Sequence, residues 1–500
     1  MALDRVARFA ELACTGHVAG LVCACLCACH VAEPIELPPA PRPDITLSAG
    51  DQREALPGPV QALALGSGYT CALLTGGAVK CWGSDAYGVL GQDTLAHDVS
   101  DPSTIAPIDF GDGRRVVQLS AGWYHVCVLF EDARARCWGK NESGQLGQGN
   151  TEDYGDDAGE TLSALPDIPL ERVVQISAGV SNTCALVRAG EGPGGTVHCF
   201  GTDRDGAIGD ALSGDFGDDE VVTTLRPAAL VETATSVAAG DGVNCARLSS
   251  GAVQCWGGNA FGTLGVGGER CSLGETCRSS AGVIDQPVAN LERRFVSDLQ
   301  LNQAHACSID NYGELLCWGR NDESRAGYPQ AIYGTVISAP PGPVSLGPGV
   351  QVVASGLGMR HGCALDAHGL VRCWGEAGPQ LGYGMAQADG LSGVGGTLEP
   401  SAQYALMPEQ GAVQLGDTDG EPGIDRAVRV FSGGQHNCVI LSAGGLRCWG
   451  SNRSGELGYG AFEQVGNIGD EGPPEAVYAR RQQYDVCIGE GSSLTTPCAR

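Results

Sequence analysis

Lysine is almost absent from this chain: Lys80 and Lys140 are the only two among 500 residues. The 30 basic residues are therefore nearly all arginine, and against 58 acidic ones they leave a net charge of −28. So acidic a surface repels phosphate backbones, which argues against nucleic acid as a partner. Charged residues make up only 18% while 43% are hydrophobic, a balance that excludes wholesale disorder. Glycine is abundant, at 77 residues, but follows no three-residue period, and that excludes collagen. Beyond the leader no segment reads as a long amphipathic helix, and no run is apolar for the length of a membrane span. Catalytic signatures are missing too. There is no Gly-x-Ser-x-Gly elbow, and neither lysine stands in a Gly-x-x-x-x-Gly-Lys phosphate loop. The expectation is a protein that is not an enzyme and needs no cofactor.

Cysteine, by contrast, is plentiful, and 23 of them would be a hazard in a reducing compartment unless they bound metal. The N-terminus points the same way. Arg5 and Arg8 precede an apolar stretch from Val18 to Cys29, too short to span a bilayer and suited to a signal-peptide core, although Asp4 and Glu11 fit it poorly. Leu26-Cys27-Ala28-Cys29 resembles a bacterial lipobox, in which Cys29 would be acylated as a lipid anchor. Residues 30–57, proline-rich from Pro34 to Pro43, then form a stiff linker. The protein is expected outside the cytoplasm: anchored to an outer membrane, periplasmic or secreted.

Internal repetition organises the rest. One unit recurs seven times: a Gly-rich turn, a strand led by cysteine, a tight turn, then Cys-Trp-Gly and a Leu-Gly ending. Its cysteines are Cys71 with Cys81, Cys127 with Cys137, Cys184 with Cys199, Cys245 with Cys255, Cys307 with Cys317, Cys363 with Cys373, and Cys438 with Cys448. Phe200 replaces the tryptophan in the third copy. The spacing of the units, with short apolar segments on either side, suits four short strands per unit and a closed ring. The fold class is all-β, a seven-bladed propeller over 58–480, with 481–500 a tail. Either Asp44 to Ala49 or Pro474 to Ala479 is expected to close the ring.

These motifs resemble the regulator of chromosome condensation repeat family, whose units carry Gly-x-x-His-x-x-x-Leu and Trp-Gly-x-Asn-x-x-Gly-Gln-Leu-Gly. The best match runs from Gly122 to Leu129 and from Trp138 to Gly147. The resemblance covers about residues 58–465 and implies a seven-bladed propeller. It does not imply one activity, since such propellers include a nucleotide exchange factor, a light sensor and secreted inhibitors. Trp123 is the only tryptophan outside the Cys-Trp-Gly positions, which is too few for a light-sensing cluster.

In six copies the two cysteines are ten apart, and five of these have glycine at the sixth position, where a three-residue hairpin loop needs a left-handed residue. That register sets Cys71 opposite Cys81, within reach of a disulfide. Zinc pairs lie two to four residues apart, so disulfides are the better reading. Cys271 with Cys277 and Cys487 with Cys498 suggest two more. Four histidines share one slot two residues before the cysteine, His125, His305, His361 and His436, and a structural hydrogen-bonding role is expected of a residue repeated round a ring.

Three acidic loops remain: Glu152 to Glu160, Asp215 to Glu220, and Asp417, Asp419, Glu421 and Asp425. The last begins like a calcium loop, but Val428 holds the twelfth position, where a bidentate Glu belongs, so a solvated loop is the leading reading. The functional expectation is a scaffold that binds a protein or surface ligand, preferably cationic, through loops on rigid strands. The alternatives are a guanine-nucleotide exchange factor, with Arg188 to Gly195 as a wedge, and a hydrolase or lyase using loop carboxylates.

Overall fold

The structure is a computed structural model. It describes residues 60–459 apart from 93–97, 112, 189, 191, 193, 211–213, 268–286, 292–293, 383–404, 407–411, 414 and 416–425. The chain divides into Met1–Thr46 and Leu47–Arg500, and every described residue belongs to the second part. Cys29, Cys271 with Cys277, Cys487 with Cys498, the Asp417 to Asp425 cluster and both segments expected to close the ring lie outside the described residues.

Each repeat folds as an antiparallel meander. In the first, β1 (Val60–Leu65) pairs with β2 (Tyr69–Leu74), and β2 with β3 (Val79–Gly83). Seven such meanders occur among the described residues, the others beginning at Val116, Val173, Ala234, Val296, Val352 and Ala427. The second turn is tight: Leu74 N–H donates to the carbonyl of Ala78 at 2.8 Å, with Gly77 at φ +91°. A Cβ on Gly77 would approach Cβ of Arg115 to 2.8 Å, so glycine also admits the next unit. In the second copy Ala133 takes that place at φ 65°.

The fourth strand is reduced. In the fifth and sixth units it is two residues long, Val336–Ile337 and Ala405–Leu406, and in the first three it is a single bridge, such as Gly83 with Val99. Further along, one apolar residue returns to the start of the third strand, as when Ile108 N–H donates to the Val79 carbonyl and Ile168 N–H to that of Ala135.

The first strand of each unit packs on the first strand of the next, and the seventh packs on the first. These inner strands are bridged by side chains instead of a continuous ladder. The Gln118 amide, for example, donates to the Ile176 carbonyl and accepts its N–H, at 2.9 and 3.0 Å. Trp82, Val60 and Leu63 of the first unit share one buried cluster with Cys438, Cys448 and Leu457 of the seventh, which closes the ring.

Candidate functional site

The tryptophans of Cys-Trp-Gly are buried between units. Each indole N–H donates to a carbonyl in the Leu-Gly turn of the preceding unit: Trp138 to Val89, Trp256 to Ala207, Trp318 to Thr263, Trp374 to Arg325, Trp449 to Gln380, and Trp82 to Glu456. The turn itself is shaped by its leading Asn or Asp. The side chain of Asn141 accepts the N–H of Leu146 at 2.9 Å, and Asp203 accepts that of Ile208.

The four histidines of the shared slot are buried and face the next unit. His125 Nε2 meets the Thr183 hydroxyl at 2.9 Å, His361 Nε2 meets Asn437 Oδ1 at 2.9 Å, and His436 Nε2 meets Thr70 at 2.8 Å. An amide oxygen only accepts, so Nε2 of His361 carries the proton. Thr183 and Thr70 spend their hydroxyl protons on the carbonyls of Gln145 and Glu456, which assigns the same tautomer to His125 and His436. Burial pushes His125 and His436 down to about 3 and His361 to about 4, so all are neutral. These are structural imidazoles.

His305 is the exception. The slot facing it holds Gly362, and neither ring nitrogen finds a partner. A Cβ on Gly362 would lie 2.6 Å from Cζ2 of Trp374, so the indole occupies the space a Thr or Asn would need. Burial, with Arg325 and the His361 ring adding to it and a weak backbone contact at His361 opposing it, lowers His305 to about 3. Aligned copies carry the signal sequence reasoning missed: His125, His361 and His436 are each followed one unit later by Thr or Asn, and His305 by glycine.

One face of the ring collects the turns between first and second strands. They are linked by backbone hydrogen bonds from unit to unit: Ser67 to Trp123, Trp123 to Gly179, Val180 to Gly240, Asp241 to Gln303, Met359 to Gly434, and Gly434 to Gly66. Between the fifth and sixth units the Asn302 amide makes the link instead, to the Leu357 carbonyl at 2.8 Å. The backbones match while the side chains differ. Ser67, Trp123, Val180, Asp241, Gln303, Met359 and Gly434 occupy one position.

The second unit makes this face aromatic. Trp123 stacks on Tyr124 with centroids 5.9 Å apart and planes 8° off parallel, and Tyr124 meets Tyr87 of the first unit at 5.2 Å. Tyr87 is 39% exposed. It is held at φ 62° in its turn, and Lys140 Nζ lies 5.1 Å from its ring centroid and 2.8 Å from Glu142. Acidic loops pack on the turns of the first and second units. Gly155 and Asp156 pack so tightly on Gly88 that a Cβ there would lie 2.0 Å from the Gly155 carbonyl carbon, and Gly217 and Asp218 press on Gly144 in the same way. Desolvation raises Asp153 and Asp156, with neighbouring carboxylates adding to it.

Asp218, Asp219 and Glu220 place their oxygens within 4.8 Å of one another and are the set among the described residues able to hold a metal ion. Two of the three are exposed, as in a solvated acidic loop, and Glu220 is raised by desolvation with Asp219 adding to it. The structure brings the sequence-predicted cysteines together as cross-strand disulfides in all seven units, with Cα atoms 4.0 to 4.1 Å apart. That is closer than the roughly 4.5–5.5 Å of opposed residues in an unlinked pair.

A ring of meanders locked by inter-unit tryptophans, presenting variable residues on matched turns, defines a repeat β-propeller. Residues 60–89, 116–145 and 427–456, together with 77–129 and 137–186, match the regulator of chromosome condensation (RCC1) repeat, and these segments are repeats of that family. It is similar to the ultraviolet-B receptor UVR8 of Arabidopsis thaliana, 26% identical over 76% of this chain and 87% of the receptor. The secretion-regulating guanine nucleotide exchange factor of Bos taurus is 26% identical over 79% of this chain and 78% of its own. Among solved structures, yeast RCC1 (Prp20) bound to Kap60 superposes with a TM-score of 0.60 at 18% identity, covering 86% of this chain and 85% of that one.

Proposed function

We propose that the protein is a non-enzymatic propeller scaffold that works outside the cytoplasm and binds a protein or surface ligand through the variable residues of its linked-turn face. The observation that carries this reading is the separation of tasks within each unit. Backbone bonds, tryptophans and histidines fix the turns, while the residues presented there change from unit to unit. Seven cross-strand cysteine pairs support an oxidising compartment. The likeness to an exchange factor favours nucleotide exchange as the second reading. A GTPase partner is not available outside the cell, which weighs against it. Cell fractionation and cross-linking from intact cells test the scaffold reading: recovery of the protein in the cytosol with reduced cysteines, or accelerated nucleotide release from a GTPase, defeats it.

A further inference from the structure

We infer that the Tyr87–Tyr124–Trp123 patch is the docking platform for a cationic, arginine- or lysine-bearing peptide segment of the partner. The inference rests on the scaffold reading and names the chemistry of what it binds. Three aromatic rings from two units meet on the linked-turn face, where no other unit offers an aromatic pair: its equivalents of Trp123 and Tyr124 are Ser67 and Gly68, Val180 and Ser181, or Asp241 and Gly242. The platform is rigid, because the backbone of Trp123 both accepts from Ser67 and donates to Gly179, each at 3.1 Å. Flat, pre-ordered aromatic faces attract cations through their ring quadrupoles, and guanidinium stacks on them better than ammonium.

The surroundings select charge. The glycine contacts at Gly88 and Gly144 seat one acidic loop, at Asp156, on the turn that carries Tyr87, and a second, at Asp218, on the turn that follows Lys140. The one cation already there shows the mode of binding on a small scale: Lys140 sits over Tyr87 while pairing with Glu142. A basic side chain of a partner would take the same arrangement on the Trp123 and Tyr124 faces, with aspartates satisfying its remaining donors.

The test is titration of a labelled nona-arginine peptide, a nona-lysine peptide and a neutral Gly-Ser peptide of equal length, read by anisotropy at low and physiological salt. The other six tryptophans are buried, so a change in tryptophan emission on binding reports Trp123. Arginine is expected to bind more tightly than lysine, and the neutral peptide not at all. Trp123→Ala and Tyr87→Ala should each weaken binding at least fivefold, as should D156N/D157N, while E131Q/E232Q, in and beside the hairpin turns at the opposite ends of the strands, should change it less than twofold. Tyr87 is exposed, so Tyr87→Ala keeps the test valid if Trp123→Ala fails to fold. Equal weakening by the remote pair, or affinity indifferent to both aromatic substitutions, overturns the platform and leaves only diffuse attraction to an acidic protein. A native partner held with full affinity by Tyr87→Ala also overturns it but leaves the scaffold reading standing.

Discussion

The hydroxyl of Thr70 meets the imidazole of His436 at 2.8 Å across 366 residues of chain. The same hydroxyl donates to the Glu456 carbonyl at 2.9 Å, and that oxygen also takes the Trp82 indole N–H at 3.0 Å. The contact repeats, atom for atom, the one between Thr183, His125 and Gln145 inside the ring. Closure of the ring therefore uses the ordinary interface between neighbouring units.

Thr70→Val keeps the shape and removes both bonds, leaving a buried imidazole N–H without an acceptor. The expected cost is about 1–3 kcal/mol in urea unfolding, with a similar cost for Thr183→Val. A loss below about 0.5 kcal/mol at Thr70 alone, judged against that scale, would show that apolar packing holds the closing interface.

His361 and His305 lie in adjacent units and should respond oppositely to leucine. His361→Leu strands the buried Asn437 oxygen and should destabilise by about 1–3 kcal/mol. His305→Leu removes two unpartnered nitrogens and should be neutral or stabilising. Equal destabilisation by both substitutions, measured as urea midpoints at pH 7.5, would mean that the weak backbone contact of His305 at His361 is a stabilising hydrogen bond.

Acid should weaken the fold through these histidines. Their folded pKa values, about 3 to about 4, lie below the ordinary 6.5, so between those limits the unfolded chain binds protons that the folded one refuses. Their contribution is complete above pH 6.5 and is lost as pH falls towards 4, at up to about 1.4 kcal/mol per unit for each imidazole. Asp298, raised by desolvation, acts in the opposite sense near the acid end. The urea midpoint should drop between pH 7.5 and 5, and it should drop less in His305→Leu. A flat profile would contradict burial of neutral histidines.

The fourteen repeat cysteines should be unreactive towards a thiol reagent in unfolded, unreduced protein. Replacing Cys71 and Cys81 together by alanine should cost roughly 3 kcal/mol, the closure entropy of a short loop less any strain. Quantitative labelling of these cysteines before reduction would overturn both the bridges and the oxidising compartment.

Local chemistry was legible in the chain itself. Cysteines ten positions apart with glycine at the sixth position determine a hairpin register, because only a left-handed residue turns the chain there and the pairing then counts back to the cysteines. Seven recurrences of that unit determine a ring of β-meanders, since no unit buries its own faces alone. The partners of the histidines depend on a residue in the next unit, 58 positions away for His125 and 76 for His361, and sequence distance carries no signal for a contact made by ring geometry. The platform is of the same kind. Trp123 read alone is a stray aromatic, and Tyr87 a turn residue. Only the tertiary structure lays one unit's turn against the next and seats the acidic loops on Gly88 and Gly144, because close backbone approach decides which side chains share a surface.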